Sequence, residues 1–190
     1  MTGSGAPITQ LVRAAAAGDQ AAWNEIVARY EGLVWATARA HRLSHADAGD
    51  VAQTTWLRLV EHLDRIREPE GLGGWLATTA RRECLRHLRL HGRESPSDNV
   101  DLFEAPADDL PGLALLTEER DQALWRAFAR LGERCQALLR LLVSADEPSY
   151  AEIGAALDMP VGAIGPTRSR CLEKLRALVG HDPAVQGGAA

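Results

Sequence analysis

Arg81, Arg82, Arg86, Arg89 and Arg93 crowd one stretch of the chain together with His87 and His91, against a single Glu83. Arg168, Arg170, Lys174 and Arg176 form a second cluster, opposed by Glu173. Guanidinium and ammonium groups at this density suit phosphate binding, because each neutralised phosphate releases counterions and the gain is local. The formal net charge of −5, from 21 Lys and Arg against 26 Asp and Glu, argues by itself against a nucleic-acid partner. Its distribution argues the other way. Glu94, Asp98, Asp101, Glu104, Asp108, Asp109, Glu118, Glu119 and Asp121 lie between the two clusters and face one Arg120, so the chain reads as basic, acidic, basic.

Other chemistry is poorly provided for. His41, His45 and His62, with Asp47 and Glu61 nearby, lack metal-ligand spacing and are expected at the surface. The expectation is therefore no metal, no cofactor, no catalytic residue and no enzyme. Cys84, Cys135 and Cys171 are widely separated, odd in number and set in helical patterns, which predicts reduced, half-buried thiols. The opening residues MTGSGAPITQ carry neither a basic flank nor an apolar core, and no run approaches the roughly 18 apolar residues of a membrane span. A cytoplasmic protein without membrane contact is expected.

Apolar residues make up 46% of the chain, enough for helical cores, and no strand-like alternation stands out. The pattern predicts an all-α fold. Ile8, Leu11, Val12 and Ala15 give a short helix ended by Gly18. Asp19 is placed to cap a long helix carrying Trp23, Ile26, Val27, Tyr30, Leu33 and Val34 on one face. Ser44 caps the next, which runs to about Ile66 with Asp47 in its first turn. Pro69, Gly71, Gly73 and Gly74 then predict a loop, and a helix from near Trp75 to about Leu90 carries the arginine cluster. Residues 92–112 lack periodicity and read as an extended linker. Thr117 is placed to cap a helix with Leu124, Phe128 and Leu131 as its stripe; Gly132 breaks it, and Leu138, Leu139, Leu141 and Leu142 belong to the next.

The strongest local signal is SYAEIGAALDMPVGAIGPTRSRCLEKLR. Ser149-Tyr150-Ala151-Glu152 is a capping box that starts a short helix with Ile153 and Leu157 inward. Gly154 is small where two helices must approach, Asp158-Met159-Pro160 makes the turn with Met159 plugging the core, and Ile164 docks the second helix. This is the spacing of a DNA-reading helix-turn-helix, with Thr167, Arg168, Ser169, Arg170 and Lys174 on its second helix. Asp158 stands where the turn usually has Gly, and Pro166 predicts either a kink or a late start of the regular helix.

With these segments in place, nearly the whole chain, from about Ile8 to Val179, resembles the extracytoplasmic-function (ECF) sigma factors of the sigma-70 family. The helix-turn-helix resembles the family's promoter −35 reader, although its Ile-Gly-Pro-Thr-Arg run departs from the usual Thr-Val-Lys-Ser-Arg. By position the resemblance assigns −35 contacts to Thr167, Arg168, Ser169 and Arg170, with Lys174 on the backbone. DAGDVAQTTWLRLVEHL is similar to the family's polymerase-gripping helix; Asp47, Asp50 and Gln53 match, and Thr54 replaces the usual Glu. On the residues alone these three share a polar face, with Val51 and Leu57 elsewhere. WLATTARRECLRHLR resembles the helix that engages the −10 element, which implies roles for Trp75, Arg81, Arg82, Arg86, Arg89 and Arg93. Residues 64–74 lie where the family captures a flipped-out base. Trp75 suits core packing and DNA stacking equally.

The resemblance implies a sigma2-like domain at 8–92, an acidic linker at 93–116, a sigma4-like helix-turn-helix domain at 117–180 and a disordered tail at 181–190. It implies core RNA polymerase as partner, through its clamp coiled coil and flap, together with promoter DNA and an anti-sigma factor. A stand-alone helix-turn-helix repressor or activator, and a sigma-like interaction protein, remain the rival readings.

Overall fold

The computed structural model describes residues 6–90, 114–144 and 147–180, the side chains of 114–120 excepted. Among the described residues every regular element is helical: α1 (Ile8–Ala16), α2 (Gln20–Ala40), α3 (His45–His62), α4 (Leu72–Leu90), α5 (Ala114–Ala129), α6 (Glu133–Leu142), α7 (Tyr150–Leu157) and α8 (Val161–Gly180). Short 3-10 turns at Leu63–Arg65 and Pro69–Gly71 join α3 to α4. Residues 91–113 and 181–190, and with them Arg93, the expected tail and the expected linker up to 113, lie outside the described residues, while the last three residues assigned to the linker, 114–116, open α5.

The caps behave as the residue types dictate. The Asp19 carboxylate accepts from the Ala21 and Ala22 amides, and Ser44 Oγ accepts from the Asp47 amide. Ser149 and Glu152 form the complete reciprocal box. Gly18, at φ +92°, ends α1 in the left-handed region where a side chain would be costly. Buried Gln136 donates through Nε2 to the carbonyls of Ala129 and Leu131, satisfying the end of α5.

The first four helices pack around Val12, Ile26, Val34, Leu59, Leu72 and Leu76, with Trp23 and Trp56 meeting edge to face. Each fully buried Leu or Ile contributes about 1.5–3 kcal/mol. Helices α5, α6 and α8 close a smaller core of Phe128, Leu131, Leu139 and Cys171. The two halves also share one core: Leu33, Ala40 and Ala77 of α2 and α4 lie against Leu138, Leu141, Ile153, Ala156, Met159 and Ile164.

The helix-turn-helix has the expected interior, with Ile153 and Ile164 fully buried and Met159 5% exposed. A Cβ added to Gly154 would come within 2.8 Å of the Met159 carbonyl oxygen, a backbone atom that cannot swing aside. Gly154→Ala is therefore expected to destabilise this half by about 1–3 kcal/mol, read as a lower midpoint in urea unfolding.

Several expectations are corrected. Helix α3 stops at His62 rather than near Ile66, giving way to a 3-10 turn. Helix α4 begins at Leu72, so Gly73 and Gly74 are in its first turn and not in the loop. Gly73 is where α4 meets its neighbours, because a Cβ there would collide with the Glu152 carboxylate and press on Tyr30. Thr117 lies inside α5 rather than capping it, since the apolar residues before it continue the helix. Leu124 is 39% exposed, and Ala123 and Ala127 join the expected Phe128 and Leu131 in the buried stripe. Helix α8 starts at Val161 and continues through Pro166, so the late start is not what happens.

The cysteines differ most from expectation. Cys135 and Cys171 form a disulfide, with their Cα atoms 5.4 Å apart, and Cys84 is a free and fully buried thiol. The 36 residues that separate the pair are spanned because α6 and α8 pack face to face, which spacing along the chain does not reveal.

Candidate nucleic-acid interface

Helix α4 sorts its arginines by side. Arg82, Arg86 and Arg89, spaced four and three apart, fall on one exposed face. Arg86 pairs with Glu83 at 2.7 Å, whereas Arg82 has no acidic partner among the described residues. Arg81, at a different angle, points to the C-terminal half and donates to the Asp158 carboxylate at 2.7 Å. Thus the expected arginine cluster is two surfaces: an open stripe and one arginine engaged with the helix-turn-helix.

The pairing with Arg81 gives the unusual turn residue a function. Asp158 adopts φ +55°, ψ +52°, the left-handed conformation that Asp tolerates better than most side chains. A glycine would make the turn but could not reach Arg81. The pair is largely exposed on the Asp158 side, so its worth is about 0–1 kcal/mol, and the shared apolar core does most of the joining. Arg42 Nη1 to Glu133 at 2.9 Å adds a second exposed bridge between the halves.

His41 lies in the same seam, its Nε2 3.2 Å from the Ala156 carbonyl oxygen. Burial holds its pKa below the usual 6.5; the carbonyl hydrogen bond raises it and nearby Arg81 lowers it. The closed arrangement thus binds fewer protons at His41 than an open one, and this group's contribution to closure is complete above about pH 6.5 and declines below it. Acidification from about pH 7.5 to about pH 5.5 is expected to increase the fraction of separated halves in small-angle scattering, and His41→Gln to flatten that response.

At the N-terminal end of α4 a cleft of about 410 Å³ is lined by His62, Arg65, Ile66, Arg67, Glu68, Gly71, Leu72 and Trp75. Trp75 is partly buried against the first core, with its ring centroid 6.1 Å from that of His62. It is both a core residue and a wall of the cleft. The cleft has cationic rims and an aromatic side, which suits a planar, unstacked base beside a phosphate.

On α8, Arg168, Ser169, Arg170 and Lys174 are exposed and Thr167 is half-buried. Arg170 donates to the Pro166 carbonyl and to Thr167 Oγ1, while Arg168 and Lys174 have no acidic partner among the described residues. Here Pro166 costs one helical hydrogen bond, the one its missing N–H would give to the Gly162 carbonyl, and its own carbonyl accepts from Arg170 Nε.

On α3, Asp50 and Gln53 are exposed. Asp47 is tied down: it accepts from Ser44 Oγ at 2.7 Å and lies 3.1 Å from His87 Nε2. Contrary to expectation, Leu57 is on the Gln53 side of the helix and not elsewhere; it is 58% exposed, and Val60 beside it 57%. Sequence reasoning missed this pair, and the signal was that Val51 and Leu59 already satisfy the buried face.

Among the described residues no helix is long and apolar enough to cross a membrane. No group of three or more His, Cys, Asp or Glu there could hold a metal ion.

Residues 26–94 match the model of sigma-70 region 2. Over 177 residues the chain is 30% identical to the ECF RNA polymerase sigma-E factor of Escherichia coli (strain K12), covering 88% of this chain and 90% of that protein. The same identity and coverage hold for the sigma-E factor of Salmonella typhimurium (strain LT2). Among solved structures, CnrH in complex with the cytosolic domain of CnrY superposes with a TM-score of 0.58 at 23% identity, covering 90% of this chain and 96% of that one. The sigma factor RpoE from Bartonella quintana, in complex with the anti-sigma factor NepR, gives 0.57 at 24% identity, covering 84% and 96%. These two structures share the fold.

Proposed function

Because the chain belongs to the extracytoplasmic-function sigma factors of the sigma-70 family, we propose that it recruits core RNA polymerase to promoters through −35 and −10 contacts carried by separate helices. The observation that carries this reading is the presence, on one chain, of two exposed cationic helix faces on different halves: Arg82, Arg86 and Arg89 on α4, and Arg168, Arg170 and Lys174 on α8. A duplex-reading helix-turn-helix needs only the second.

In this reading residues 8–92 are the sigma2-like domain, 93–116 the acidic tether and 117–180 the sigma4-like domain, working in the cytoplasm. Helix α8 enters the major groove at −35, with Arg168 and Arg170 as the candidates for base edges and Lys174 for phosphate. The α4 stripe tracks the opened −10 strand, and the cleft beside Trp75 receives an unstacked base. Unstacking costs a few kcal/mol, which cationic contacts and a shaped pocket offset. The exposed face of α3 around Asp50 and Gln53 grips the polymerase clamp coiled coil, and the C-terminal half meets the flap. Polymerase supplies the chemistry, so this chain needs no catalytic group. An anti-sigma partner fits as well, since the structural relatives CnrH and RpoE were solved with CnrY and with an anti-sigma factor.

The closed packing of α7 on α4 occupies Arg81 and sets the two halves side by side. Spanning two promoter elements requires them to part, which breaks the weak polar bridges and uncovers the shared apolar core, so contacts to polymerase and DNA have to offset that lost burial. Run-off transcription with purified core polymerase on a genomic promoter library tests the reading. Transcripts starting behind shared −35 and −10 elements are the expected result; duplex binding without added initiation would overturn it in favour of a repressor.

A further inference from the structure

The disulfide forms part of the wall of a cleft of about 390 Å³ between the start of α6 and the middle of α8. Cys171 is 1% exposed, whereas Cys135 is only partly buried, so Cys135 is the half of the bridge nearer solvent in the cleft. Arg134, Arg170 and Lys174 line the same cleft, along with Thr167. The carboxylate on its wall, Glu133, is already taken by Arg42 at 2.9 Å. Cys135 also stands in the first turn of α6, so the positive end of the helix dipole adds to the cleft's attraction for an anionic thiol. The third cysteine is the internal contrast: Cys84 is fully buried, and burial pushes its thiol up to about 12, so it is a poor nucleophile at neutral pH.

We propose that Cys135–Cys171 is a thiol–disulfide exchange site for an anionic low-molecular-weight thiol of the glutathione class, and that the adduct on Cys135 blocks the DNA-reading face of α8. The second half rests on the reading of α8 as a DNA-binding helix. The incoming thiolate attacks Sγ of Cys135. A new S–S bond forms as the Cys135–Cys171 bond breaks, and the electron pair leaves on Sγ of Cys171, which takes up a proton from solvent. In the reverse direction the Cys171 thiolate attacks the Cys135 sulfur and expels the small thiolate. One disulfide replaces another, so no separate oxidant is consumed. The carboxylates of the bound thiol meet Arg134, Arg170 and Lys174, and two of these, Arg170 and Lys174, are cations offered to DNA. In a reducing compartment a disulfide of this kind is expected to be transient and redox-sensing rather than structural.

The test uses the full-length protein with its bridge formed, incubated with reduced glutathione and, separately, with cationic cysteamine at matched thiolate concentration. Peptide mass mapping is expected to find one glutathionyl group on Cys135 and none on Cys84. Glutathione should react about tenfold faster than cysteamine, as the cleft's charge dictates. The adduct should bind a promoter duplex at least about tenfold more weakly than the bridged form. The proposal is overturned if Cys135 and Cys171 both alkylate after oxidation, if the adduct forms on Cys84 instead, or if cysteamine reacts as fast. The mass readout does not involve DNA, so the two failures separate. Protein that exchanges at Cys135 but grips no duplex in any form overturns the DNA half, whereas protein that grips duplex but never exchanges overturns the whole.

Discussion

Reversing Arg82, Arg86 and Arg89 together to glutamate is expected to lower promoter-directed initiation at least about a hundredfold, while association with core polymerase stays within about twofold. The three side chains occupy one exposed face of α4, and none is needed for its packing, which rests on Leu76, Ala77, Ala80 and Cys84. The fold should therefore survive. Opening the duplex exposes a strand whose phosphates repel one another, and three cations in a row compensate for that repulsion. Replacing them with anions removes three contacts and adds three repulsions. Permanganate reactivity of −10 thymines reads strand opening, and co-purification with core polymerase reads docking. Equal loss of both would assign the stripe to the polymerase rather than to DNA. Arg81 is deliberately left out, because reversing it also sets two negative groups against each other at Asp158 and so disturbs the seam.

The parts of this molecule that were legible in the sequence are those governed by short-range rules. A Ser or Asp before an apolar-periodic run caps a helix through its own neighbours, so Asp19, Ser44 and Ser149 could be read directly. Gly154 and Met159 were legible because a helix-turn-helix leaves little room at those positions. Features that depend on how helices meet were not. Gly73 looks like loop punctuation until α7 is laid across α4. Asp158 looks like a poor turn residue until Arg81 arrives from a helix 77 positions earlier. The bridge between Cys135 and Cys171 follows from the packing of α6 on α8, which no spacing rule for metal or disulfide motifs captures. For the candidate site this means that the clusters were found and their division was not: residue type located the arginines, and packing decided which of them face solvent.

The other large effect is expected on α3. Changing Leu57 and Val60 together to glutamate should weaken association with core polymerase at least about tenfold and leave the thermal midpoint within about 2 °C of the parent. Both residues are more than half exposed, so the isolated protein gains little from them. Exposed Leu and Val side by side, next to Asp50 and Gln53, are an apolar centre with a polar rim, the composition of a docking surface. Burying the pair against a partner is worth about 3–6 kcal/mol in full, and a fraction of that already exceeds tenfold. Adding charge compounds the loss, because a carboxylate would then be buried without a partner. A control at Val51 would not serve: it is buried, and a change there would unfold α3 instead of testing its surface. If the double variant bound polymerase as tightly as the parent, the exposed face of α3 would not be the polymerase contact. Asp50 and Gln53 would then lose their assignment with it, since all four side chains lie on one side of the helix.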